Sequence, residues 1–372
     1  MAAEAMGLRA QTFSTPTSVF VSVQIGDKRE TMLARVDPRG TDLSKIVALD
    51  EILMHVVTRR VNPAKGTRLI KRVVLRPHIY PAWMHVGGFM LTATAVSRFF
   101  GGGWAELLAS CLTGLCVGLL ALAASRRRHA ARLLEFFAGL TAATMASMLT
   151  AVIGPASIPL VTVAGLITMM PGMMITTAMA ELATRNLVSG TARFVGAITV
   201  LLSVGFGVAV GQRLGAHLPG GHDAPPGPIV GWVGGWVDLL AMAVAPLGFV
   251  VLLNARSKDV LAILPAGVFS FLLSRTLTAE VGGDLGACAT AAAVGVFGNL
   301  YQWWTNRPAS TVVVPGLLIL VPGVLGYRSF ELFMVEDTVS GAQTAFRVLV
   351  TALAISAGLL LANVAAPPRR SL

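Results

Sequence analysis

Charge is scarce in this sequence: Asp, Glu, Lys and Arg supply 13% of its 372 residues, against roughly a quarter in soluble domains. So few charged groups cannot clothe a water-facing fold of this length. With 55% hydrophobic side chains and a mean hydropathy of +0.73, the chain reads as membrane-embedded. Disorder is excluded by that hydropathy, and a collagen-like fibre by the lack of any Gly-X-Y period. Cysteine is nearly absent. Cys111, Cys116 and Cys288 sit in apolar stretches at spacings that suit neither a disulfide framework nor zinc, so they read as small core residues. Acidic residues are the rarer sign, 18 against 29 basic ones, leaving a net charge of +11. On so apolar a chain, that excess points to the cytoplasmic loops of a multispanning protein rather than to nucleic acid.

Thirteen of the 29 basic residues lie before Pro81, which divides the chain into a basic amino-terminal region and an apolar remainder. The first eight residues carry no signal-peptide pattern, so the amino terminus is expected to stay in the cytoplasm. Alternation over Thr17–Ile25 and Glu30–Val36, with Gly26-Asp27-Lys28 between, predicts a β-hairpin ended by Pro38-Arg-Gly40. Thr41 is expected to cap a helix with apolar residues from Leu43 to Val57 at near-helical period. Asn62-Pro63 reads as the cap and first position of another. A β-β-α-α segment of this size is marginal as an independent domain.

From Pro81 onward, ten stretches are long enough to cross a hydrocarbon layer of ~30 Å. They run approximately over 82–100, 104–124, 133–152, 156–180, 191–212, 229–253, 259–276, 285–304, 309–330 and 342–364. With the amino terminus inside, 24 of the 29 basic residues fall on the cytoplasmic side, as the positive-inside rule expects; Arg98, Arg213, Arg275, Arg328 and Arg347 are the exceptions. The carboxyl terminus then also lies inside.

The apolar region repeats itself. Val161-Thr-Val-Ala-Gly-Leu-Ile-Thr-Met-Met-Pro171-Gly172 aligns without gaps on Val312-Val-Val-Pro-Gly-Leu-Leu-Ile-Leu-Val-Pro322-Gly323. At the same offset of 151, Val188-Ser-Gly190 falls on Val339-Ser-Gly341 and Gly207 on Gly358. Composition alone does not fix Pro-Gly and Val-Ser-Gly at one spacing. Two copies of five spans, an odd number, must cross in opposite senses, the inverted-repeat plan of alternating-access carriers. The fold class expected is therefore an all-α polytopic membrane protein of ten helices in two inverted five-helix repeats, with a small α+β cytoplasmic segment. Its divisions are 1–80, 81–227 and 228–372.

Pro171-Gly172 and Pro322-Gly323 fall inside their spans and should break them. Backbone freed at membrane depth must face protein or water, and paired breaks in the two halves mark a candidate substrate site. Thr176 and Thr177 follow the first break. Asp238, ten residues into the sixth stretch, is the outstanding ionisable residue and the candidate proton carrier. Arg347 could pair with it or hold a carboxylate, and Asn299 is a further polar candidate; Glu181 and Glu331 read better as interface residues. His78 and His85, seven apart, have no third ligand nearby, and His217 with His222-Asp223 sits in a Gly/Pro-rich external loop, so no metal or cofactor is expected. Gly-xxx-Gly spacings at Gly114, Gly207 and Gly231 favour close helix packing. An intramembrane enzyme is the alternative class, but there is no Gly-x-Ser-x-Gly, His-Glu-x-x-His or paired-aspartate motif. A scaffold using its basic segment to bind anionic lipid or a partner would have no need of two opposed copies.

Taken in order, Ser18-Val-Phe-Val-Ser-Val23, Arg35-Val-Asp-Pro-Arg-Gly-Thr-Asp-Leu43, Asn62-Pro63-Ala, Pro171-Gly172, Leu187-Val-Ser-Gly190, Val321-Pro-Gly323 and Ser340-Gly341 resemble the bacterial threonine/serine exporter family. The likeness runs from about Thr15 to Pro367. It implies an inner-membrane carrier that exports threonine, serine or similar small solutes, driven by the proton motive force. The partners it implies are a small-molecule substrate, protons and the bilayer, with no nucleic acid; a homo-oligomer is compatible. The family supplies no site residues to carry over. Members usually begin with a further helix before the hairpin, to which only Met1–Leu8 would correspond here.

Overall fold

The computed structural model describes residues 8–25, 28–36, 40–127, 130–217, 235–320, 322–334 and 337–368. The expected turn at Gly26-Asp27, the break at Pro38-Arg39, and the His222-Asp223 loop lie outside them, as do Arg128 and the carboxyl-terminal Arg369-Arg370. Strands β1 (Arg9–Ser14), β2 (Ser18–Ile25) and β3 (Lys28–Arg35) form an antiparallel sheet in that order. The predicted hairpin is its β2–β3 pair, in register from Ser18↔Arg35 to Ile25↔Lys28. β1 was not read from the sequence, because Arg-Ala-Gln-Thr-Phe-Ser alternates too weakly; its pairing, including Phe13↔Phe20, identifies it.

Helix α1 (Leu43–Val57) is capped by Asp42 rather than by Thr41: the carboxylate accepts from Lys45 N at 3.0 Å. A negative charge there also suits the positive end of the helix. Helix α2 (Pro63–Val74) starts as predicted, with Asn62 Oδ1 accepting from Ala64 N at 3.0 Å and Pro63 at the first position.

The remainder is helical: α3 (Ala82–Phe99), α4 (Trp104–Ser125), α5 (Leu134–Ile153), α6 (Ile158–Leu166), α7 (Gly172–Ala183), α8 (Leu187–Ala216), α9 (Gly235–Leu252), α10 (Val260–Val281), α11 (Gly283–Thr305), α12 (Ser310–Leu318), α13 (Gly323–Met334) and α14 (Thr338–Ala365). Each of the ten apolar stretches contains helix. Six helical segments are long and apolar enough to cross a bilayer, or seven if α6 and α7, bent by 56° at their break, count as one.

Packing follows one scheme twice. In the first half α3 meets α4, α4 meets α5 and α6, α5 meets α6 and α8, α7 meets α8, and α3 meets α6. In the second half α9 to α14 make the corresponding seven pairings. Between the halves α3 packs on α9, α7 on α13, α7 on α14 and α8 on α13. Buried alanine, valine and glycine fill these seams, among them Ala138, Ala142, Val204 and Val208 between α5 and α8. Small side chains are what bring helices together where apolar burial no longer drives association.

Helix α1 is docked onto this bundle. Its first N–H groups, at Leu43 and Ser44, donate to Leu253 O (2.9 Å) and Asn254 O (3.2 Å) just past the end of α9. Unfilled donors of one helix start thus meet unfilled acceptors of another's end. Leu43, Val250, Ala255 and Ile263 form a buried cluster beneath them. Glu51 pairs with Arg256 at 2.8 Å, and Tyr80 donates its hydroxyl to Ala255 O at 2.9 Å. The amino-terminal region is therefore fastened to the loop between α9 and α10.

Candidate functional site

Both Pro-Gly pairs interrupt their helices. The first break runs through a 3-10 turn, Ile167–Met169, before Pro171 restarts the chain as α7. The second lies between Leu318 and Gly323, where Leu320 N–H closes a tight turn on Leu317 O (2.8 Å) and Gly326 N–H bonds Pro322 O (3.0 Å). The two breaks touch. A Cβ added to Gly323 would lie 2.9 Å from Met170 Cβ and 3.3 Å from Gly172 N, so only glycine allows this approach. Pro171, Gly172, Pro322 and Gly323 are all buried at the contact.

A cavity of 850 Å³ leads to the second break, lined by Leu318, Ile319, Leu320 and Pro322 at one end and by Arg98, Asp238, Ser274, Arg275, Thr278 and Arg328 around its walls. Asp238 lies in the first turn of the described part of α9. Its carboxylate accepts from Arg98 Nε at 2.5 Å, and Arg98 also donates to Gly102 O at 3.0 Å. Arg98, rather than Arg347, is thus the partner of Asp238. Three of the five basic residues that the inside-positive count left over, Arg98, Arg275 and Arg328, line this one cavity. Sequence reading passed over them because each, taken singly, resembles an interfacial arginine; their failure to fit the charge pattern was the available signal. With three guanidinium groups and one carboxylate, the wall carries an excess of positive charge fit to hold a carboxylate.

The other sequence candidates lie elsewhere. Thr176 is buried, its hydroxyl donating to Gly172 O at 3.1 Å while its carbonyl accepts from Ser356 Oγ at 3.1 Å. Thr177 bonds its own helix at Met173 O. Asn299 ties α11 to the end of α14 through Asn363 Oδ1 (3.0 Å) and Ala366 O (2.8 Å). Arg347 is exposed on α14 without an ion pair among the described residues. Glu181 is held by Arg193 at 2.9 Å and by Ser189. Glu331, with Gln212 and Tyr327, lines a small cavity of 90 Å³ between α8 and α13. The His78 and His85 rings pack edge-on at 5.6 Å. Among the described residues no three His, Cys, Asp or Glu side chains gather to hold a metal. A second cavity of 730 Å³, between α3, α4 and α9, has almost wholly apolar walls and offers little to a polar solute.

Two fully buried carboxylates fix the approaches to the breaks. Glu106, near the start of α4, accepts from Gly103 N (3.0 Å) and from Ser157 N (3.3 Å), the residue just before α6. Asp259, at the start of α10, pairs with Arg307, just before α12. Burial opposes the charge of Arg307, but its interactions with Tyr301 and Asp259 outweigh that and hold its pKa above the ordinary arginine value. The two clamps fall within two residues of the same frame shift of 151 that relates the two breaks.

A sequence model described as "Putative threonine/serine exporter" matches residues 1–215, and one described as "Threonine/Serine exporter, ThrE" matches residues 238–365. "Pheromone-regulated membrane protein 10" of Eremothecium gossypii is 27% identical over 318 residues, covering 83% of this chain and 42% of the relative. A "Probable threonine/serine exporter" of Mycobacterium tuberculosis is 23% identical over 357 residues, 91% of this chain and 66% of the relative. The Saccharomyces cerevisiae pheromone-regulated protein is 26% identical over 301 residues, 76% of this chain and 75% of the relative. The chain thus spans less than two thirds of the first two relatives. No solved structure matches it.

Proposed function

Because the chain belongs to the threonine/serine exporter family, we propose that it is a secondary carrier exporting threonine, serine or a similar small amino acid in exchange for protons. That family is one of membrane exporters, not of enzymes. The proposed architecture is ten spans in two inverted five-helix repeats, 81–227 and 228–372, behind a cytoplasmic segment, 1–80, in a bacterial inner membrane with both termini inside. Supporting it are the seven matched helix pairings and two matched glycine contacts. A Cβ on Gly207 would strike Phe136 O and one on Gly358 would strike Cys288 O; one on Gly190 would meet Leu182 and one on Gly341 would meet Phe333, in each case the residue eight positions earlier.

The observation that carries the mechanism is the charge in the cavity at the second break. Arg275 and Arg328 are exposed there and form no salt bridge among the described residues, although the charge of Glu331 is felt at Arg328; in the proposed cycle they take the substrate carboxylate. The substrate ammonium group then competes with Arg98 for Asp238. A proton and an ammonium group cannot both occupy one carboxylate, so loading substrate displaces the proton and binding a proton displaces substrate. That mutual exclusion is what couples amino acid export to proton entry. Gly172 and Gly323, where the breaks touch, are the pivot about which the half-helices exchange access, with Pro171 and Pro322 keeping the helices open at that point and Thr176 buttressing it through Ser356. Asn299 serves as an anchor of α14 and Arg347 as a lateral charge.

Counterflow of labelled threonine and serine by the full chain in proteoliposomes, with and without a pH gradient, tests this. Exchange above empty vesicles, faster with the gradient, is expected, and Asp238→Asn should abolish the response to the gradient. No exchange of either amino acid removes the substrate assignment. A gradient response undiminished in Asp238→Asn removes the coupling role.

A further inference from the structure

Helix α2 and its flanks carry seven basic residues in eighteen positions, Arg59, Arg60, Lys65, Arg68, Lys71, Arg72 and Arg76, and no acidic residue occurs between Glu51 and Glu106. None of the seven has an ion-pair partner among the described residues, and all are exposed. The helix lays Gly66, Leu69 and Val73 toward α1. Away from that contact, Lys65, Arg68 and Arg72 recur at helical spacing as one basic stripe. Ile70 and Val74, four residues apart and 40% and 50% exposed, form an apolar flank, continued by Leu75 at 83%.

This segment does not swing free. Lys45 Nζ of α1 holds Val74 O at 3.1 Å, α1 is fastened to the end of α9, and Tyr80 is bonded to Ala255 O. Seven residues after Leu75, α3 begins. The exposed basic and apolar flanks are therefore kept beside the ends of the apolar helices.

We propose that α2 is a surface-seeking helix that docks on the leaflet α3 enters, its basic stripe on anionic phospholipid headgroups and Ile70, Val74 and Leu75 in the upper acyl region. The charge fits one partner: a run of unpaired cations beside a membrane-inserted helix meets a negative surface potential, and the apolar side chains on the helix face opposite the basic stripe convert attraction into shallow insertion, with the long Lys and Arg side chains reaching the headgroups. Seven uncompensated cations repel one another while they face water, and the anionic surface relieves that repulsion. This inference requires only that the apolar helices lie in a bilayer; it does not depend on the substrate or the coupling ion.

The test uses the full chain with Cys111, Cys116 and Cys288 replaced by alanine and an environment-sensitive fluorophore on Ile70→Cys. It is reconstituted into phosphatidylcholine vesicles with or without phosphatidylglycerol. The expected result is a blue shift and loss of aqueous quenching only with phosphatidylglycerol, reversed by high salt and absent in Lys65→Glu/Arg68→Glu/Arg72→Glu. Soluble glycerophosphate should give no shift. The same emission in both vesicle types overturns the proposal, as does a shift produced by a soluble acidic peptide in neutral vesicles, which would make the partner a protein. The lipid contrast needs no charge variant, so it stands even if the triple variant fails to fold.

Discussion

The two halves of the membrane region make the same helix pairings and are broken at the same place, yet their surroundings differ. The second break lines one end of a charged cavity of 850 Å³ with Leu318, Ile319, Leu320 and Pro322, whereas the first contributes only Ile167, with Gly172 buried beneath Gly323. At Arg328 of the second half, the frame shift finds Thr177 in the first, its hydroxyl spent on its own helix. At one end α9 contributes Asp238 to the open cavity, while just past its other end the chain is covered by α1. Near-equivalent halves in inequivalent surroundings are what a carrier needs if one side is open while the other is shut. The difference teaches that the repeated pairings set the frame, while the charged lining of the cavity, Arg98 from the first half and Asp238, Arg275 and Arg328 from the second, does not repeat.

The comparison can be broken most forcefully at the clamps. Arg307→Ala leaves the Asp259 carboxylate buried and unpaired, a loss of about 3–5 kcal/mol, read as a lowered thermal midpoint of the purified full chain. Glu106→Gln, in the corresponding clamp, removes a charge that accepts from the backbone N–H groups of Gly103 and Ser157 and should cost only about 1–2 kcal/mol. Equal losses would mean that the two clamps do the same work despite their different chemistry.

Next comes the pair Arg328 and Thr177. Losing an arginine–carboxylate contact worth about 1.5–3 kcal/mol should raise the KM for threonine counterflow by roughly 10- to 100-fold in Arg328→Gln, with the maximal rate less affected. Thr177→Ala should leave KM within about twofold, because surface and self-bonded hydroxyls contribute little. A KM change of the same size in both would move the substrate away from the cavity.

The smallest effects sharpen the symmetry itself. Gly207→Ala and Gly358→Ala each drive a methyl into a facing backbone carbonyl, and overpacking of this kind costs about 1–3 kcal/mol. Matched drops in thermal midpoint are expected. A large loss at one site and none at the other would separate the two seams that the repeat equates.

How much of this was legible depended on whether the cause was local. Asn62-Pro63 announced a helix start because capping needs only neighbours in sequence. The cap falls on Asp42 and not on Thr41 because both residue types cap, and which side chain reaches an N–H is settled by backbone angles. β1 escaped notice because a strand of six mixed residues draws its stability from its pairing with β2. Arg98, Arg275 and Arg328 stand out in the sequence as exceptions to a charge rule, but that these three of the five share one cavity depends on how distant helices pack.

By itself the sequence determined the solvent, since so few charges on so apolar a chain belong in lipid. It also determined the ordered series of helices and the two breaks, because hydropathy, proline and glycine act through the backbone next to them. The tertiary structure alone decided that the breaks touch, that Asp238 is held by Arg98 from 140 residues away, and that three stray arginines face one space. Those are consequences of close packing between helices distant in sequence, where a missing Cβ or a buried charge acquires its meaning from the neighbour it meets.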